Sequence, residues 1–199
     1  MPNSKSPPAK EHIATLEPFE GLGMECITVV TRLDQAESAF EDLSVAGEVG
    51  FDTESKPTFR KGEVSGGPHV LQFSTIRRAY IFQSHVGECL PVVMRLLESV
   101  EIQKIGFGLR GDLSHISNRF GIRPSSIHDL DRSFKQLGYS NPVGAKSAIA
   151  MLFERRLLKS KSVTTSNWGS PMLTEKQLIY AANDAYAALL VYHALRENG

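Results

Sequence analysis

Tyr180-Ala181-Ala182-Asn183-Asp184-Ala185-Tyr186 lies inside a run from Glu175 to Leu195 that carries the marks of one long helix. Thr174 and Gln177 form a capping box at its start, and Leu173 is placed to staple onto Leu178. Tyr180 and Asp184 are four residues apart, so they share a face about one turn apart. Leu178, Ile179, Ala182, Ala185 and Leu189 serve packing. An aspartate among so many alanines is out of place on a core-facing helix and reads better as a ligand turned to a charged site. Tyr180 is then its partner, where it would otherwise be an ordinary half-buried aromatic.

Two earlier segments carry matching acids. In Phe51-Asp52-Thr53-Glu54 the residues alternate as a strand does, which puts Val49, Phe51 and Thr53 on one face and Gly50, Asp52 and Glu54 on the other. The two carboxylates are therefore neighbours. Like charges that close repel unless a cation sits between them. Alone, this pattern also fits a strand with a solvated acidic face. In Gly106-Phe107-Gly108-Leu109-Arg110-Gly111-Asp112 a strand runs into a glycine turn, and Asp112 falls in the first turn of the next helix. The helix dipole favours an acid there. A strand end beside a helix start is also where α/β folds assemble sites.

The elements between these segments predict an α/β domain. Strands are expected at Cys26–Val30, Val49–Thr53, His69–Ser74, Ala79–Phe82, Lys104–Phe107 and Ser126–Leu130, although Asp131–Phe134 also fits a helix. Helices are expected around Ala36–Leu43, over Leu90–Val100, from Arg110 through Phe120, over Ala145–Phe153 and over Glu175–Leu195. The third and fourth strands of this set form a hairpin around Ile76-Arg77-Arg78. This order suggests a mixed sheet with helices on both faces.

Four carboxylates and a phenol in these contexts resemble the DEDD family of 3′–5′ exonucleases, in its tyrosine subclass, to which RNase D and the Werner-type exonuclease domains belong. The histidine subclass has its histidine one residue earlier, where this chain has Ile179. His69-Val70-Leu71-Gln72-Phe73-Ser74, Ser166-Asn167-Trp168 and Leu173-Thr174-Glu175-Lys176-Gln177 extend the likeness, which spans roughly Ile27 to Leu195. Ser55 departs from it, because Werner-type enzymes often carry a large aromatic there.

The resemblance implies a ribonuclease H-like fold and hydrolysis of the terminal phosphodiester at the 3′ end of DNA or RNA, releasing nucleoside 5′-monophosphates. It implies two divalent ions, Mg²⁺ or Mn²⁺, held by Asp52, Glu54, Asp112 and Asp184, with Tyr180 orienting the attacking water. Such ions sit ~3.5–4 Å apart. Hard oxygen ligands suit both ions. Activity is expected to fall in acid, where the carboxylates protonate. The competing reading is a catalytically silent nucleic-acid-binding module that kept the fold.

The bulk properties agree with one catalytic domain. The 199 residues have 22 basic and 22 acidic side chains, which argues against a strong non-specific nucleic-acid binder. No apolar run approaches the ~20 residues of a membrane span, and no secretory signal opens the chain, so an intracellular, cytoplasmic location is expected. Cys26 and Cys89 lack metal-ligand spacing. Residues 1–22, with Pro2, Pro7, Pro8 and Pro18, read as a mobile arm. Residues 23–199 read as a single exonuclease domain, without the further helical domain that RNase D usually carries after the last motif. Nothing in the sequence speaks to oligomeric state.

Several residues are candidates for substrate contact. Arg60 and Lys61, in a glycine-rich loop, are placed to track a phosphate backbone. Arg155, Arg156, Lys159 and Lys161 offer a second basic cluster, which equally fits a solvated face. Phe107 and Leu109 flank the glycine turn and are candidates to line a pocket for the terminal nucleotide. Trp168 has the ring to stack on a base, or to pack the loop under the last helix. His115, three residues past Asp112, reads as a surface histidine.

Overall fold

Glu48–Glu54 (β2) is the strand around which the molecule is organised, and its alternation is the reason. Val49 and Phe51 are fully buried on one face, each contributing about 1.5–3 kcal/mol by leaving water. The computed structural model describes residues 5–58 and 66–197. The other strands are Ile27–Val30 (β1), Val70–Ser74 (β3), Ala79–Gln83 (β4), Gln103–Gly106 (β5) and Ile127–Asp129 (β6). They form one sheet in the order β1-β4-β3-β2-β5-β6. β2, β3 and β4 pair antiparallel, while β1 on β4, β5 on β2 and β6 on β5 run parallel. The sheet is mixed, as expected.

Helices cover both faces. On one, Leu33–Ala46 (α2), Leu90–Glu98 (α3) and Arg110–Phe120 (α4) enclose a core with Val49, Phe51, Leu71, Phe73 and Phe82. On the other lie Ala145–Phe153 (α6) and Glu175–Glu197 (α8), which bury Val70, Ile81 and Ile105. α8 lies close on β2. A Cβ added at Gly50 would stand 1.9 Å from the Ala185 carbonyl oxygen. Gly50 with Ala181, Ala182 and Ala185 thus lets helix and strand approach, which brings Asp184 down beside Asp52. α8 begins as its capping box predicts: Thr174 N–H donates to Gln177 Oε1 at 3.0 Å and Gln177 N–H to Thr174 Oγ1 at 3.3 Å.

Two segments show structure beyond what periodicity marked. Residues 10–22 carry structure where the prolines and lack of periodicity suggested none. Lys10–Thr15 (α1) is helical and meets α6. Phe19 N–H donates to the Arg156 carbonyl at 3.0 Å, and Arg156 N–H to that of Glu17 at 2.8 Å. Asn183 clamps Leu22 through bonds of 2.7 and 3.1 Å to its N–H and carbonyl. Backbone pairing of this kind leaves no side-chain pattern in a sequence. The strand expected over Ser126–Leu130 is shorter, and Leu130–Gln136 (α5) follows at once, because the Asp129 side chain accepts from Asp131 N–H and caps it. Lys161–Thr164 (α7) is a short helical turn that the periodicity did not mark.

Candidate metal centre

Strand alternation turns Asp52 and Glu54 toward α8, and α8 supplies Asp184. One carboxylate oxygen from each lies within 4.8 Å of the others. Asp184 is 5% exposed. Burial raises the pKa of all three acids, and in Asp52 and Glu54 repulsion from neighbouring carboxylates raises it further. Glu54 is pushed up to about 9, first by burial and then by Asp52 and Asp184. The site thus strains against its own negative charge.

Among the described residues, Lys159 is the cation paired with that charge. Lys159 Nζ stands 2.7 Å from Asp184 Oδ2 and 5.2 Å from the centre of the Tyr180 ring. Burial alone would lower the Lys159 pKa, but the attraction of Asp184 and Tyr180 outweighs it and holds the ammonium above its ordinary value. The sequence placed Lys159 in a basic surface cluster and gave no sign of this inward turn. Arg156 of that cluster donates to the Ala14 carbonyl at 2.9 Å.

Tyr180 lies on the same face of α8. Its hydroxyl accepts from Thr164 Oγ1 at 3.0 Å, and its ring lies 5.8 Å from that of Trp168. Its pKa is pushed up to about 12, by burial first and then by Asp184. The phenol therefore stays protonated and can hold a hydrogen bond, but does not serve as a base near neutral pH.

Asp112 stands apart from the three clustered acids. It comes from α4, on the opposite face of the sheet, and accepts a hydrogen bond from Thr53 Oγ1. Its charge still acts on Asp52 and Glu54. Its helix start is fixed by Gly108, at φ +62°, and by Asp129, whose two oxygens accept from Gly108 N–H and Leu109 N–H at 3.0 Å each. Asp129 was not singled out by the sequence, because its partners lie 20 residues away.

One substrate candidate is corrected, and for another the packing alternative is the one found. Leu109 is fully buried in the core beneath α4, so it does not line an open pocket. Trp168 is also fully buried, with Nε1 donating to the Thr164 carbonyl at 3.2 Å, and packs the loop under α8. Phe107 is half-buried and stacks on Phe134 at 6.5 Å. His115 is exposed on α4, as expected. Arg60 and Lys61 lie outside the described residues.

The donor set fits a hard divalent cation. Three carboxylates converge from two elements, and each resists ionisation without a positive partner. Gln72, paired with Asp52 across the strands, is fully buried and its amide has no hydrogen-bond partner among the described residues. A cation with its bound waters would answer both needs.

Comparison with known proteins agrees. A family description of 3′–5′ exonuclease matches residues 27–199. The bifunctional 3′–5′ exonuclease/ATP-dependent helicase WRN of Mus musculus is 31% identical over 159 residues, covering 79% of this chain and 11% of that protein. A 3′–5′ exonuclease of Arabidopsis thaliana is 30% identical over 180 residues, covering 87% of this chain and 59% of that protein. The chain thus spans less than two thirds of the length of either. Among solved structures, the Aedes aegypti Nibbler EXO domain matches with a TM-score of 0.75 at 20% identity, covering 90% of this chain and 92% of that one. Escherichia coli RNase D matches with a TM-score of 0.74 at 22% identity, covering 86% and 44%. The structural likenesses establish the ribonuclease H-like fold, and the family match establishes descent: this chain belongs to the 3′–5′ exonuclease family, of the DEDD type.

Proposed function

We propose that this domain removes nucleotides from the 3′ end of DNA or RNA, hydrolysing the terminal phosphodiester and releasing nucleoside 5′-monophosphates. The observation that carries this reading is the convergence of Asp52, Glu54 and Asp184, with Tyr180 on the same helix face as Asp184. Asp52, Glu54 and Asp184 would hold one Mg²⁺ or Mn²⁺, and Asp52 with Asp112 would hold a second, Asp112 directly or through water. Bound there, the two ions would supply an activated water and charge stabilisation at the leaving oxygen. Tyr180 would donate a hydrogen bond that orients the water, the role expected of the tyrosine subclass. The α4 start, fixed by Asp129, presents Asp112 from the far side.

Nucleic acid as the substrate is supported by the relatives, since one structural neighbour, Trypanosoma brucei RNase D, is a complex with RNA. The test is a gel assay of 5′-labelled single-stranded DNA and RNA with Mg²⁺, Mn²⁺ or EDTA, run beside Asp184→Asn. The expected result is a ladder shortening from the 3′ end that needs metal and is missing in the variant. The sugar that is cut faster identifies the substrate. A folded protein that binds single strands and yields no ladder with either metal overturns the proposal in favour of a silent binding module.

A further inference from the structure

We propose that Lys159 is a tethered counter-ion of the carboxylate cluster, holding the Asp184 oxygen that a divalent ion needs and giving it up when the ion binds. The inference rests on the reading of Asp52, Glu54 and Asp184 as a metal site, and adds to it a residue that competes with the metal.

The contact is specific. Lys159 Nζ lies 2.7 Å from Asp184 Oδ2, and its side chain is 24% exposed although it comes from a loop between α6 and α7. The loop is held in place: Lys146 Nζ donates to the Lys159 carbonyl at 3.1 Å, and Arg156 pairs its backbone with Glu17 and Phe19. The ammonium therefore reaches the cluster from a fixed base on a flexible four-carbon stem. Lysine suits that task better than arginine, because its charge is a compact point on freely rotating bonds.

The contact is also exclusive and replaceable. A divalent ion binds a carboxylate oxygen at about 2.0–2.6 Å, closer than the ammonium stands now, so the two compete for Oδ2. At 2.7 Å the ammonium and carboxylate form a close charge-assisted pair, and the rotating ammonium can leave it without disturbing the backbone. The stem has somewhere to go. A cavity of about 630 Å³ adjoins it, lined by Lys10, Ile13, Lys146, Arg156 and Lys159 itself. That cavity is basic, so the withdrawn ammonium gains no new acid there. Lys159 thus favours Asp184 until a stronger cation arrives.

A permanent structural pair and a displaced counter-ion predict opposite outcomes. Mn²⁺ binding to the full chain, read by calorimetry and by loss of the free-ion electron paramagnetic resonance signal, distinguishes them without reference to turnover. If Lys159 occupies Asp184 in about nine molecules of ten, Lys159→Met binds Mn²⁺ about tenfold more tightly than wild type. In EDTA the same variant melts lower than wild type, because the cluster has lost its only close cation among the described residues. With saturating Mn²⁺ the two melt alike. Lys159→Gln, which keeps a polar side chain in the loop, gives the same ordering should the methionine variant fold poorly. Equal or weaker Mn²⁺ binding in the variants, with wild-type binding intact, overturns the inference alone. No saturable Mn²⁺ binding in wild type beyond that of Asp184→Asn overturns the metal-site reading, and this inference with it.

Discussion

Lys104 and Lys159 are both drawn into the protein, and they are held in opposite ways. Lys104, on β5, is fully buried and donates to the Ser99 and Ile102 carbonyls at 2.7 and 2.6 Å. No carboxylate faces it within ion-pairing distance among the described residues, and burial lowers its pKa to about 8. Lys159 is more exposed, sits against Asp184, and is raised. A lysine whose partners are carbonyls closes a loop. A lysine whose partner is a crowded carboxylate neutralises a site. The difference marks which buried charge belongs to the chemistry: Lys104 bears a desolvation cost that two carbonyls partly offset, whereas Lys159 answers a negative charge that the fold assembles.

Asp184→Asn attacks the second arrangement directly and carries the largest effect. It removes both the partner of Lys159 and a metal ligand, so turnover is expected to fall about 1000-fold or more while circular dichroism stays native. Initial rates of mononucleotide release measure it. Wild-type rates from the variant would make the Asp184–Lys159 pair as structural as the carbonyl cradle of Lys104, and the contrast would collapse. Tyr180→Phe is subtler. The ring stays under Lys159 and against Trp168, and only the hydroxyl bonded to Thr164 is lost. The rate is expected to fall about 10- to 1000-fold, the scale of one positioning hydrogen bond in a site. Unchanged KM alongside the lower kcat would place the hydroxyl's role in the reaction step. A raised KM with unchanged kcat would place it in binding.

Much of this arrangement was legible in the chain. The capping box of Thr174 and Gln177, the alternation through Asp52 and Glu54, and the spacing of Tyr180 and Asp184 are local signals, and local geometry repeats at 2 or 3.6 residues. The inward turn of Lys159 was not legible. It depends on where an irregular loop crosses α8, and that path is set by backbone bonds between residues 17–19 and Arg156. The burial of Leu109 was hidden for the same reason, and for Trp168 the choice between stacking and packing was left open. Both flank motifs that carry chemistry, and the packing of α4 on the sheet, and of the loop under α8, decides that they face inward. Asp129 reads as an unremarkable strand-end acid until Gly108 and Leu109 are seen to lean on it.

The smallest effect tests the first arrangement, through pH. Lys104 has a folded pKa of about 8, below its ordinary 10.5. Between those values the unfolded chain binds more protons than the folded one, so folding gains as pH rises through that window. Below about pH 8 the ammonium is charged in both states and the full desolvation cost is present. The carbonyls of Ser99 and Ile102 offset part of that cost, so the gain from pH 8 to 10.5 is expected to stay under about 3 kcal/mol. Lys104→Met lacks the titrating group and cannot share this gain. Urea midpoints for the two proteins, taken at steps across the window, should therefore diverge in favour of wild type as pH rises, because every other titrating group is common to both. A constant difference would mean that two carbonyls compensate the buried charge completely. Carbonyls would then hold a lysine as well as a carboxylate does, and the position of Lys159 against Asp184, rather than its partner's charge, would be what sets it apart.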